Sequence, residues 1–359
     1  MTSFMKSLLL GILLLGITNC SDHDTPPEEA PVTVTKTIDL HLHLDGAISL
    51  TSARQLAQMQ GITIPDTDEE LKTLMQVSDD CKDLNEFLEK FAFPCSLIQT
   101  TEGLRTATYN LCEELRGQGL IYAEIRFAPS KSCDKGMTQE DAVKAAIEGM
   151  RQSSFRANLI LCCMRGDDYA TNAETIRLTK KYLGQGVCAA DLAGAEALFP
   201  NADYADVFAL ARQEGVPYTL HSGEADGPAS VWKAIEMGAQ RIGHGTRSIE
   251  DPQLMDYLAK HQLPLAQCPT SNVQTCIAPS IDQLPIRKFL DAGIMFTINT
   301  DDPSIEGTTL QKEWEKVIQA FGLTKAEVRR LMLNSVTASF ASPELKQELQ
   351  AEMESAYPL

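Results

Sequence analysis

The chain has 359 residues, 43% of them hydrophobic and 22% charged. That is enough for a sizeable buried core and too mixed for a disordered, collagen-like or disulfide-stapled chain. Its 49 acidic residues against 31 basic ones leave a formal charge of −18, which repels polyphosphate and anionic membrane surfaces, so nucleic acid is not an expected partner. A small molecule without phosphate escapes that objection.

Residues 1–19 read as an export signal, with Lys6 supplying positive charge ahead of an apolar run from Leu8 to Ile17. That run is too short for a permanent bilayer span. It ends Ile17-Thr18-Asn19-Cys20, which resembles a bacterial lipobox and implies lipidation at Cys20, although Asn19 departs from the usual Gly, Ala or Ser. The alternatives are a plain secretory signal cut nearby and an unremoved apolar N-terminus. Residues 20–35 read as a flexible tether, acidic and proline-rich from Ser21 to Glu29. That stretch resembles surface-export signals of some lipoproteins. The expected location is therefore the cell envelope, with membrane association through the lipid anchor only and the outer membrane or cell surface as candidate faces.

From residue 36 onward, eight short β-rich runs alternate with helical patterns: Lys36–Asp45, Leu120–Pro129, Ala157–Arg165, Gly186–Gly194, Pro217–Glu224, Arg241–Thr246, Leu263–Ser271 and Met295–Asp302. Eight strand–helix repeats predict an α/β fold, a single (β/α)8 TIM barrel. Residues 46–119 are far more than one crossover helix needs, so an extra helical insertion is expected between strands 1 and 2, over the top of the barrel. Within it Leu84, Phe87, Leu88 and Phe91 share one helical face, either as core or as a lid or apolar wall over the site.

Most of the ten cysteines sit in apolar runs such as Leu159–Met164 and Gly186–Ala189 and read as small buried hydrophobes. No C-x-x-C pair supports a zinc ribbon or a thioredoxin-like motif. Thr324-x-x-Glu327 is a capping box, and Ser342-Pro343 an N-cap with proline at the first helical position.

Four of the six histidines, His41, His43, His221 and His244, stand at strand ends. The period of two sends His41 and His43 to the same, inward face. Strand 5 adds His221, and strand 8 ends in Asn299-Thr300-Asp301-Asp302-Pro303, bringing carboxylates to the same rim. Three imidazoles and a carboxylate make a site suited to one Zn2+, which would lower the pKa of a bound water toward roughly 7. Glu224, where strand 5 turns out into its loop, is placed to carry a proton, and His244 to hold or polarise the nucleophile without binding metal.

These residues resemble the adenosine deaminase family of the amidohydrolase superfamily. The resemblance is carried by Asp39–Ala47, Asp191–Gly194, His221–Ala225, Arg241–Gly245 and Asn299–Pro303, with lesser similarity at Phe87–Phe91, Tyr122–Arg126, Leu161–Arg165 and Cys268–Asn272. It implies a metal-dependent deaminase barrel over residues 36–359, with His41, His43, His221 and Asp301 on one zinc. It further implies hydroxide attack on C6 of the purine, Glu224 protonating N1 and His244 orienting the hydroxide. Asp302 would meet N7, the Gly194 N–H would face N3, and Asp45 would accept a ribose hydroxyl. Related adenine deaminases look to carry Glu at the position of Asp45 and methyl-AMP deaminases Asn, so Asp favours a nucleoside. Strand 4 ends without the lysine that two-metal relatives use, so a mononuclear site is expected. The H-x-E and P-C-x-x-C signatures of the cytidine-type zinc deaminases are missing.

The expected activity is deamination of adenosine, and with it 2′-deoxyadenosine, to the inosine product plus ammonia. The alternatives are deamination of adenine or another 6-aminopurine, and a non-catalytic adenosine-binding surface lipoprotein. Joint presence of all four ligands with Glu224 and His244 speaks against the last.

Overall fold

The computed structural model describes residues 32–78 and 80–358. The expected export signal, the lipidation site at Cys20 and residues 20–31 of the tether lie outside them. Packing begins slightly ahead of residue 36: Val34 is buried in the main core, and the Thr35 and Lys36 N–H groups donate to the Tyr357 hydroxyl at 3.0 and 3.2 Å.

Eight strands follow in chain order: β1 (Thr37–His43), β2 (Leu120–Phe127), β3 (Ala157–Met164), β4 (Val187–Ala193), β5 (Thr219–Ser222), β6 (Arg241–His244), β7 (Leu265–Gln267) and β8 (Phe296–Ile298). Each falls within one of the predicted runs and is shorter than it, several because the Gly, Pro and Asp residues at the ends of the run turn out of the sheet. All pairs are parallel, β1 to β4 in one ladder and β5 to β8 in another. Both seams are stitched. Ala190 N–H donates to the Pro217 carbonyl at 2.9 Å, while His43 N–H donates to the Asp301 carbonyl and Asp301 N–H to that of His41, each at 2.8 Å. The sheet closes into a (β/α)8 barrel.

Strands covered on both faces read as continuous apolar runs, and every residue of β1 is buried. Of the five Asp, Glu, Lys and Arg residues that nevertheless lie in these strands, Asp39 is hydrogen-bonded to Thr300 and the other four form two ion pairs. Arg241 Nη1 lies 2.7 Å from Glu124 Oε2 and Arg126 Nη1 2.6 Å from Asp191 Oδ2, all four side chains fully buried. Both arginines also donate to the Leu40 carbonyl, tying β1 to β2 and β6 from inside.

Between β1 and β2, helices Leu50–Gln60, Asp68–Met75, Leu84–Leu88 and Ala92–Ser96 precede the crossover helix Thr101–Gly117. This insertion rests on the loop after β8: Val77 N–H donates to the Ile305 carbonyl at 3.0 Å, and Cys81, Leu84, Phe87 and Ile305 form an apolar cluster apart from the main core. The capping box at Thr324 and the cap at Ser342 form as expected. Every described cysteine is free, and Cys162, Cys163 and Cys188 are buried. No described helix is long and apolar enough to cross a membrane.

Candidate active site

At the C-terminal end of the barrel, His41 and His43 project from β1 to the same side. Their Nε2 atoms lie 3.0 and 3.2 Å from Nε2 of His221, and 3.1 and 3.3 Å from Oδ1 of Asp301. All four side chains are buried. Burial, reinforced by the neighbouring Arg126 charge, holds the His41 imidazole well below its ordinary pKa, and burial drives His43 down to about 3. Both rings are therefore neutral lone-pair donors at pH 7. Lone pairs converging this closely repel, and Asp301 Oδ1 has no hydrogen-bond partner, so the cluster fits a cation. Three imidazoles and a carboxylate match zinc or a similar divalent ion. A second grouping, His41, His244, Cys268 and Asp301, is chemically weaker because burial pushes the Cys268 thiol well up, away from the thiolate a metal needs.

The ligands are aimed from behind. Asp191 Oδ2, already paired with Arg126, lies 3.0 Å from Nδ1 of His221, which turns that ring's Nε2 toward the cluster. On β6, a Cβ at Gly243 would stand 2.9 Å from Cε1 of His41, so only glycine lets the ring lie against that strand. Asp301 and His244 both adopt left-handed backbone, φ 71° and 57°, a strained conformation for residues with side chains.

Glu224 and His244 stand beside the cluster. His244 Nε2 lies 3.6 Å from Glu224 Oε2 and 3.6 Å from Asp301 Oδ2. Its Nδ1 is 3.1 Å from Asn272 Oδ1, while the Asn272 amide donates to Thr246; that orientation places the His244 proton on Nδ1 and frees Nε2 toward the site. Burial, with the nearby Asp301 carboxylate, pushes Glu224 up to about 8. The turn carrying it is held by Glu196, whose carboxylate accepts the N–H groups of Gly223, Glu224 and Asp226 at 2.8, 3.0 and 2.9 Å.

A cavity of about 640 Å³ opens beside His43, its wall including Asp45, Gly194, Leu88, Phe91 and Arg165. Asp45 is buried with Oδ1 unpartnered, and burial pushes its carboxyl up to about 6. Gly194 has φ 106°, open to glycine alone, and so leaves its backbone bare on the wall. Asp302 is buried with Oδ1 unpartnered. Burial, then the adjacent Asp301 charge, hold it well above the usual carboxylate range, in the protonated form that can donate. The four-residue apolar stripe stays in one cluster: Leu84 and Phe87 are buried in it, and Leu88 and Phe91 pack against it and also line the cavity, Phe91 edge-on to His43 with ring centres 6.4 Å apart.

A family model for adenosine deaminase matches residues 36–356. The chain belongs to the adenosine deaminase family. An adenosine deaminase of Haemophilus ducreyi is 45% identical over 331 residues, covering 89% of this chain and 96% of that protein. Another, of Enterococcus faecalis, is 36% identical over 334 residues, covering 92% of this chain and 99% of that protein. Among solved structures, an adenine deaminase of Arthrobacter aurescens matches with a TM-score of 0.81 at 25% identity, covering 90% of this chain and 99% of that one. Purine-deaminase-type hydrolysis in the amidohydrolase superfamily goes with that membership.

Within this family barrel, sequence reading named the histidines and carboxylates that converge but passed over Arg126, Asp191, Glu196, Asn272 and Gly243, which place them. Arg126, Asp191, Asn272 and Gly243 lie inside quoted motifs, and for Arg126 and Asp191 a charge within an apolar strand was the available signal. Glu196 carried none, since its partners are three backbone amides and the Ser230 hydroxyl, about thirty residues further along the chain.

Proposed function

We propose that the protein hydrolyses adenosine, and 2′-deoxyadenosine with it, to inosine or its deoxy counterpart plus ammonia. The observation that carries this reading is the four-donor cluster of His41, His43, His221 and Asp301 with Glu224 and His244 beside it. A divalent metal held by those four residues supplies, when bound, a water activated as a nucleophile near neutral pH. His244 Nε2 orients the incoming water from one side. Glu224 gives its proton to N1 of the purine, which makes C6 electrophilic, and takes one back from the nucleophile for the departing amine. The C6–O bond forms and the C6–N bond breaks, so water and adenosine balance inosine and ammonia.

Three residues fit the rest of the substrate. Protonated Asp302 donates to N7, the Gly194 N–H faces N3, and the Asp45 carboxylate accepts from a ribose hydroxyl. Likeness to an adenine deaminase structure supports adenine as a second reading, but the buried, unpartnered Asp45 oxygen favours a ligand bearing a hydroxyl. We also propose that the protein is lipid-anchored at Cys20 in the cell envelope. Mass spectrometry of the membrane-extracted protein should find a diacylglyceryl group there, and an unmodified Cys20 would end that assignment.

The test of activity is the ultraviolet absorbance of adenosine incubated with metal-loaded protein. We expect the change to inosine, abolished by a chelator and restored by zinc. No change with one metal bound per chain, or adenine turned over at least as well as adenosine, would overturn the nucleoside reading.

A further inference from the structure

Directly after Asp301 and Asp302, residues Pro303–Glu306 form one helical turn. Asp302 N–H donates to Glu306 Oε1 at 2.9 Å, and Glu306 N–H donates back to the Asp302 carbonyl at 2.9 Å. The two residues close a ring on each other. Glu306 is buried and its Oε2 has no partner, although it sits in one acidic group with Asp301 and Asp302. Burying a third carboxyl beside two others is unfavourable for folding alone.

The same turn is fastened to everything around it. Ser304 and Ile305 N–H groups donate to the Gly46 carbonyl at 2.9 and 3.3 Å, one residue beyond Asp45. A Cβ on Gly46 would fall 1.8 Å from Asp302 Oδ1, so the Asp302 carboxyl lies flat against that backbone. The Ile305 carbonyl accepts from Val77 of the insertion, and the Glu306 carbonyl from Gln274 at 3.1 Å. The turn thus registers the Asp302 carboxyl against the Asp45 loop, and the Glu306 side chain is what holds the Asp302 backbone in it.

We infer that Glu306 is a positioning residue for purine recognition: by accepting the Asp302 N–H, it sets the Asp302 carboxyl where it can donate to N7. This rests on the assignment of Asp302 to N7 made above. Glu306 would act on one hydrogen bond to the ring, so its loss should matter only for ligands that have the N7 acceptor.

The experiment measures, by calorimetry on the metal-loaded protein, the dissociation constants of inosine and 7-deazainosine, which lacks that acceptor. The wild type should favour inosine by roughly fivefold to tenfold, about what one buried hydrogen bond supplies. Glu306→Met, similar in size but without the carboxyl acceptor, should bring the ratio to about one with metal content unchanged, whereas Glu306→Gln, whose amide oxygen still accepts, should keep it. Should the Met variant fail to fold, Glu306→Ala carries the same comparison. Equal weakening of both ligands, with the preference intact, would overturn the role of Glu306. Asp302→Ala separates the two readings: a collapsed ratio supports the N7 assignment, and an unchanged ratio sinks that assignment and the inference with it.

Discussion

Asp191 Oδ2 lies 3.0 Å from Nδ1 of His221, the ring whose Nε2 faces the donor cluster. The same oxygen is 2.6 Å from Arg126 Nη1, so one carboxylate both orients a metal-binding imidazole and neutralises a buried guanidinium. Asp191→Asn keeps the shape and removes the charge. We expect metal affinity to fall about 10–100-fold, the usual effect of losing a partner behind a ligating histidine, together with lower stability because Arg126 is left unpaired. Competition against a chelator of known affinity measures the first, and an unchanged affinity would remove Asp191 from the site.

What was legible in the sequence was whatever obeys a local rule. The period of two put His41 and His43 on one face, and apolar runs with polar ends marked all eight strands. Left-handed backbone at Asp301 and His244 was not legible, because Asp and His adopt it more often than other side-chain-bearing residues but still only as a minority conformation; the closed barrel selects it. The apolar stripe allowed two readings, core and wall, and its residues serve both: Leu84 and Phe87 are buried in one apolar cluster, while Leu88 and Phe91 pack against that cluster and also line the cavity. The i, i+3, i+4, i+7 spacing marks the shared face, but which of the four reaches the cavity depends on where the fold sets that face over the barrel. Glu306 was invisible because its role depends on Gly46, Val77 and Gln274, which only the fold brings to it.

Gly243→Ala tests how tightly β6 is fitted to the site. The new methyl would meet His41 Cε1 at 2.9 Å and His221 Cα at 3.2 Å, and the backbone on that side cannot yield without disturbing the β5–β6 ladder. The expected result is a protein destabilised by about 1–3 kcal/mol, with weakened metal binding because two of the four ligands are displaced. Denaturant titration and metal analysis of the same sample check it. Full metal content at wild-type stability would show that the strand gives way more easily than this packing implies.

Glu224→Gln should separate binding from chemistry. The amide keeps the volume, and none of the four metal-binding side chains is changed, so metal content should stay at one per chain. Without a proton to deliver to the purine, turnover should drop at least 10²–10⁴-fold, the usual contribution of a positioned acid–base group. Steady-state rates with parallel metal analysis decide the matter; wild-type turnover in this variant would take Glu224 out of the mechanism.

Thiol reactivity should follow burial and not position in the chain. Cys276 is exposed, whereas Cys112, Cys162, Cys163, Cys188 and Cys268 are buried. Burial pushes the Cys112 thiol up to about 12 and the other four also upward, Cys162, Cys163, Cys188 and Cys268 all well above the ordinary range. The reactive species is the thiolate, so at pH 8 these five stay protonated as well as inaccessible, and raising the pH toward 9 adds little reactivity to them. Among these six, a maleimide given to the folded protein should modify Cys276 first, and the buried thiols only after denaturant is added. Peptide mapping of the two samples measures it; early modification of Cys162 or Cys163 in the folded protein would mean that the barrel opens far more readily than its closed β1–β8 and β4–β5 seams allow.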